Sequence, residues 1–316
     1  VAAGAEAAPT GKAATPGRIL VVVQAGGGND GLNTVVPITG RYHDLRPTLG
    51  LKDETLVALK GQTGYGLHPS LRPLGSLWTA KQLAIVQGVG FPANSRSHFQ
   101  ALDSWWSATL GTASTTGWLG RWLDATSSGS DPLRAVSIGG ANPALRATRA
   151  RSTAITDPAG FALATPPGVR PEALTAAFLR CASPVEGGGL RAAAQRAVST
   201  AIDVRDRLDA ADLDRALPAP PADSGAGEYV AGDVTTGLQV AANLIAANLG
   251  TQVIVVNAGG FDTHANQAAT HKALLADIGG GIARFPRAIA TSGHASRVLL
   301  MTTSEFGRRA RENGAG

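Results

Sequence analysis

With a single cysteine, Cys181, among its 316 residues, the chain can form no intramolecular disulfide. The cysteine sits in RCASPVEGG, without the downstream arginine of the sulfatase maturation motif. A formylglycine nucleophile is therefore not expected there, and a buried, inert thiol is. No apolar run approaches the roughly 20 residues that span a bilayer, so no transmembrane segment is expected. The formal net charge is +5, yet no Lys/Arg-rich run with interleaved aromatics occurs, which argues against a nucleic-acid partner. Nucleotide fingerprints are missing too. The glycine run GGGNDG lacks the G-x-G-x-x-G spacing, and no Walker lysine follows it. No G-x-S-x-G elbow is present to support a Ser/His/Asp hydrolase.

What is present suits a globular protein, with 44% hydrophobic and 16% charged residues, and 40 glycines with 18 prolines marking many tight loops. Ile19 to Gln24 (ILVVVQ) is a continuous apolar, β-branched run that empties into Gly26-Gly27-Gly28, the pattern of a buried central strand. Leu83 to Gln87, Ala135 to Ile138, Val253 to Val256 and Val298 to Met301 repeat it. Helical patterns lie between them: Ser70 to Lys81, Phe99 to Ala108, Trp118 to Thr126, Pro171 to Cys181, Leu190 to Leu217, Asp233 to Leu249 and Gln267 to Thr291. Strands alternating with helices predict an α/β fold with a mostly parallel central sheet and helices on both faces. Residues 1–17, rich in Ala, Gly, Pro and Thr, read as a flexible arm, and 18–316 as one domain. The arginine-rich stretch 141–217 has no strong strand and reads as a helical cap, so that the insertion covers about 141–230 with the turn-rich linker 218–228.

In a parallel sheet, ligands gather beyond the carboxyl ends of the strands. Four expected strand ends carry ligand-type side chains: Asp30 after the first, His98 after the second, Asp262 with His264 after the fourth, and Glu305 after the fifth. This oxygen and nitrogen set suits Zn, Mn or Ca. Each has a plainer reading by itself. Asp30 can form an Asx turn, Ser97-His98 an N-cap, Asp262-x-His264 a capping pair, and Glu305 an ion pair with Arg308. His68, in GLHPS, reads as a packing histidine. His98 is either a metal ligand or a general acid.

At these residues the sequence resembles a bacterial family, domain of unknown function 1501. The matching segments include LVVVQAGGGNDGLNTVVPI, LAIVQGVGFPANSRSHFQALD, GGFDTHANQ and MTTSEFGRRARENGAG. The family is grouped with the alkaline phosphatase superfamily, and the resemblance implies that fold, with metal ligands at strand ends. It also implies twin-arginine export, hence a periplasmic or extracellular protein whose signal peptide has been removed. On that resemblance Asp30, Asp262, His264 and Glu305 are expected metal ligands, and Ser97 the nucleophile, with His98 and Arg96 beside it. The implied activity is metal-dependent hydrolysis of phosphate or sulfate esters, the partner a small anionic ester for which Arg96 offers a planar fork and Asn29 a donor to a non-bridging oxygen. The alternative is a catalytically degenerate secreted protein that binds or assembles with an export or cell-envelope partner. Phe306 stands where the superfamily pattern has a histidine. The family's T-D-H-G segment does not follow within Gly316, so a C-terminal part of the family domain is expected beyond it.

Overall fold

The computed structural model describes residues 17–92, 95–110, 114–126, 131–156, 165–181, 189–213, 215–216 and 233–314. The expected arm up to residue 16 and the linker 218–228 lie outside them, as does the side chain of Cys181. Among the described residues the eight strands are β1 (Ile19–Ala25), β2 (Val35–Pro37), β3 (Val57–Ala58), β4 (Tyr65–Leu67), β5 (Ala135–Ile138), β6 (Thr153–Ile155), β7 (Val253–Ala258) and β8 (Val298–Thr303). Five of them form a sheet in the order β6-β5-β7-β1-β8. Every pairing in it is parallel, with Gln24 of β1 opposite Asn257 of β7 and Thr303 of β8. The protein is thus an α/β fold around a parallel sheet, as the alternation of apolar runs and helical patterns predicts.

Alternation along each central strand feeds two apolar layers. Val21 and Val23 of β1, with Ile254 and Val256 of β7, face a large core built with helices Asp233–Ala246 and Gln267–Ala290. Val22, Val253 and Val255 face the opposite layer, where Leu119 and Leu123 of helix Trp118–Thr126 and Trp106 of helix His98–Ser107 pack. A buried aliphatic side chain of this kind contributes about 1.5–3 kcal/mol. Both faces are dry, which is why these strands read as continuous apolar runs.

Three expectations need correction. Leu83–Gln87 is not a strand. Leu83 and Ile85 pack half-buried on the core while Ala84, Val86 and Gln87 are exposed, and no strand hydrogen-bonds the segment among the described residues. Strand propensity expresses packing on a paired surface, and apolar alternation alone does not supply the partner. The fifth strand is instead β6, three residues inside the stretch expected to be helical cap. The single helix expected over Ser70–Lys81 is a 3₁₀ segment, Pro69–Leu74, followed by a short helix, Gly75–Thr79, because Pro73 lacks the N–H that an α-turn needs there. The small antiparallel sheet β2-β4-β3 is built from segments too short for periodicity to reveal.

Candidate metal centre

Parallel pairing puts the carboxyl ends of β7, β1 and β8 side by side, and three loops meet there. Gly26 N–H donates to Ala258 O at 2.7 Å, and Gly27 N–H to Glu305 Oε1 at 2.8 Å. Gly27 has φ +120°, and a Cβ on it would strike the backbone of Phe261 and Asp262. Gly28, at φ +74°, would drive a Cβ into the ring of Phe306. The glycine run therefore exists to let three loops touch.

Helix His98–Ser107 delivers His98 to this junction from the side, anchored by Trp105, whose indole N–H donates to Glu305 O at 2.8 Å. His98 Nδ1 lies 2.7 Å from Glu305 Oε1, which is wholly buried and also accepts from Gly27. A carboxylate oxygen only accepts, so Nδ1 is the donor, and a neutral imidazole then keeps its lone pair on Nε2. That Nε2 faces Asp262 Oδ1 at 3.2 Å, and His264 Nε2 reaches the same oxygen at 2.8 Å. One ligand atom from each of His98, Asp262 and His264 lies within 4.8 Å of the others. Phe306 forms an apolar wall, its ring centroid 4.7 Å from that of His98.

The Asp262 carboxyl is held below its ordinary range. Burial pushes it up, but the bond from Arg308 and the nearness of His98, His264 and Arg308 outweigh this. Arg308 ties the junction together, donating to Gly27 O, Gly28 O, Phe261 O and, at 2.7 Å, Asp262 Oδ1.

The structure thus brings Asp262 and His264 together with His98, and sets Glu305 behind His98 rather than among the three. Asp30 stands apart. Its carboxylate is buried, with Oδ2 taking Arg46 and Gln267 at 2.5 Å each, and Oδ1 without a partner among the described residues. Ser97 accepts the Ala101 N–H through its backbone carbonyl, while its hydroxyl makes no capping bond. Arg96 is exposed beside it. The Asn29 amide is engaged internally, with Thr34 Oγ1 at 3.0 Å and His271 Nε2 at 2.9 Å. His68 is buried, its Nδ1 accepting the Ser70 N–H, and its ring lies 6.0 Å from that of His271. Burial holds both imidazoles down to about 4, with neighbouring cations adding to it and, for His271, Asp30 opposing it.

Sequence reasoning did not single out Arg46, Gln267 or His271. No spacing rule links them to Asp30 or Asn29, whose contacts with them span 16 to 242 positions. It offered Arg308 as a partner for Glu305, and the fold gives Arg308 to Asp262 instead.

No curated protein and no solved structure matches this chain. A family model described as "Protein of unknown function (DUF1501)" matches residues 51–316, the greater part of the chain and all of the trio, and the protein belongs to that family.

Proposed function

We propose that the protein is an exported metal-dependent hydrolase of phosphate or sulfate esters, an alkaline phosphatase-like enzyme with its centre at His98, Asp262 and His264. The observation that carries this reading is the convergence of His98 Nε2, at 3.2 Å, and His264 Nε2, at 2.8 Å, on Asp262 Oδ1. Two acceptors facing each other at that distance repel unless a cation or proton lies between them. Two imidazoles and one carboxylate suit Zn or Mn better than Ca, which prefers an all-oxygen shell. A bound divalent ion would polarise the ester and lower the pKa of a hydroxyl or water.

The chain's own residues supply the rest. Glu305 fixes the His98 tautomer and ring, as an outer carboxylate does behind a ligating histidine. Ser97, with its hydroxyl uncommitted to the helix cap, is the nucleophile within the chain, and Arg96 beside it clamps an anionic ester. Asn29 and Asp30 shape the neighbouring loop from behind, Asp30 through Arg46. Phe306 covers one side of His98, and Gly28 leaves room for the Phe306 ring.

Metal analysis of the purified protein, then phosphomonoester, phosphodiester and sulfate ester panels with Zn, Mn or Ca, test the proposal. About one equivalent of metal is expected, with turnover lost in Asp262→Asn. Blank panels and metal-free protein of undiminished stability would overturn it. They would favour a second reading, a secreted binding or assembly protein in which Arg308, at 2.7 Å from Asp262 Oδ1, neutralises the carboxylate in place of an ion.

A further inference from the structure

Residues 304–313 follow β8 as a strap that is neither helix nor strand, and the strap bonds to every member of the trio. Glu305 Oε1 accepts from His98 Nδ1 at 2.7 Å, and Arg308 donates to Asp262 Oδ1 at 2.7 Å. The Asn313 side-chain amide donates to the backbone carbonyl of His264 at 3.2 Å. The strap is itself tied down along its length. At its near end Ser304 Oγ donates to Ala25 O at 2.7 Å, and in its middle Arg46 holds the carbonyls of Arg309 and Ala310. At its far end the Glu312 carboxylate accepts one N–H on each oxygen, from Thr48 at 2.9 Å and Leu49 at 2.6 Å. The surface it grips is firm, because Asn33 donates to Leu49 O and the Tyr42 hydroxyl accepts the Leu51 N–H, both at 2.9 Å.

His264 needs such a hold. Its side chain is 75% exposed, so packing does not place the imidazole, and the backbone that carries it must. A ligand on a loose backbone loses conformational freedom when an ion binds, which weakens binding, whereas a backbone already fixed avoids that loss. We infer that Glu312 and Asn313 are positioning residues for His264. Glu312 latches the strap to the backbone of Thr48 and Leu49, and Asn313 passes that constraint to the His264 carbonyl. Both act through the main chain rather than on an ion or a reacting ester. Their effect on metal affinity rests on the reading of the trio as the hydrolase's metal centre, and the hold on His264 does not. Coupling is reciprocal, so an ion at the trio strengthens the latch by the factor with which the latch strengthens its binding.

Backbone order parameters from NMR relaxation, amide exchange, Zn affinity by chelator competition and urea midpoints test this on the full chain. The variants are Glu312→Ala, Glu312→Gln, Asn313→Ala and the double Glu312→Ala/Asn313→Ala. In metal-free protein the His264 order parameter is expected to fall from the roughly 0.85 of rigid backbone toward about 0.6 in either alanine variant. Zn affinity is expected to fall about tenfold in each, the low end for groups behind a metal ligand. Tenfold is about 1.4 kcal/mol, the scale of ordering one residue's backbone. The two losses are not expected to add in the double variant, since both residues act along one path. Glu312→Gln, which keeps an acceptor for one of the two N–H groups, is expected to recover part of the affinity. Zn is expected to slow exchange at the Leu49 amide in the unaltered protein and not in Asn313→Ala. A lower urea midpoint in Glu312→Ala with His264 as ordered as before would make Glu312 a structural latch only, and overturn the inference. Fully additive losses would overturn it as well. Zn uptake with undiminished affinity in both single variants sinks it and leaves the hydrolase reading standing. A protein that takes up no Zn, yet whose His264 loosens in Glu312→Ala, sinks that reading and leaves the hold on His264 in place.

Discussion

Replacing Arg46 by methionine removes one charge from a closed, dry pair while keeping much of the side chain's volume. Arg46 is 2% exposed and donates to Asp30 Oδ2, to Asn33 Oδ1 at 2.8 Å, and to the carbonyls of Arg309 and Ala310. Its loss strands the Asp30 carboxylate, which then keeps only Gln267 as a donor, since Oδ1 has none among the described residues. Breaking a buried pair from one side typically costs about 3–5 kcal/mol, because the remaining charge stays desolvated. That is a large share of the roughly 5–15 kcal/mol that keeps a domain folded, and amounts to about 10 °C in Tm. Urea unfolding followed by circular dichroism measures it. Adding Asp30→Asn to Arg46→Met removes the stranded charge, so the double variant is expected to recover about 2 kcal/mol relative to the sum of the singles. Hydrogen exchange supplies a local readout, because the Glu312 N–H, bonded to Leu45 O at 3.1 Å, belongs to the segment that Arg46 holds. A single-variant loss below about 1 kcal/mol, or singles that simply add, would refute the idea that Asp30 and Arg46 form one buried unit.

Other outcomes follow from the same contacts. His68 and His271, held down to about 4 by burial, are neutral in the native state at pH 7, whereas the unfolded chain takes up protons below about 6.5. Folded pKa values below unfolded ones give stability that is present above pH 6.5 and lost as pH falls toward 4. The loss is about 2 kcal/mol per histidine by pH 5, read from urea midpoints at pH 7 and 5. His271→Asn is expected to shallow that slope, and an unchanged slope contradicts the assignment. Glu305→Gln keeps the shape behind His98 but weakens the pull on Nδ1, so Zn affinity by chelator competition is expected to fall about 10–100-fold with the fold intact. Gly27→Ala forces a Cβ into the backbone of Asp262 at φ +120°, with an expected loss of about 1–3 kcal/mol and of metal affinity together. Normal affinity in that variant would mean the loops do not depend on each other's close approach.

Sequence alone determined the elements whose pattern is local. The apolar runs at Ile19, Ala135 and Val253 are strands, because a strand buried on both faces must be apolar at every position, and the run at Val298 is the edge strand, with Leu299 and Met301 exposed. Helices Trp118–Thr126 and Pro171–Cys181 fall where their periodicity places them. That ligand-type side chains follow β1, β7 and β8 was equally legible, since parallel strands share one carboxyl edge, whereas His98, expected after a strand over Leu83–Gln87, is delivered by a helix instead. Tertiary structure alone decided who meets whom. Leu83–Gln87 carries a strand's composition without a partner among the described residues, and Thr153–Ile155, three residues too short to show a period, pairs with β5. At the site, Asp30 and Asp262 looked equivalent as acidic residues after strands. The fold closes Asp30 against Arg46 from 16 positions away and gives Asp262 to His98 and His264. Contacts across such distances depend on sheet order and loop approach, and sheet order is set by the packing of all the layers at once, so no window of sequence contains it.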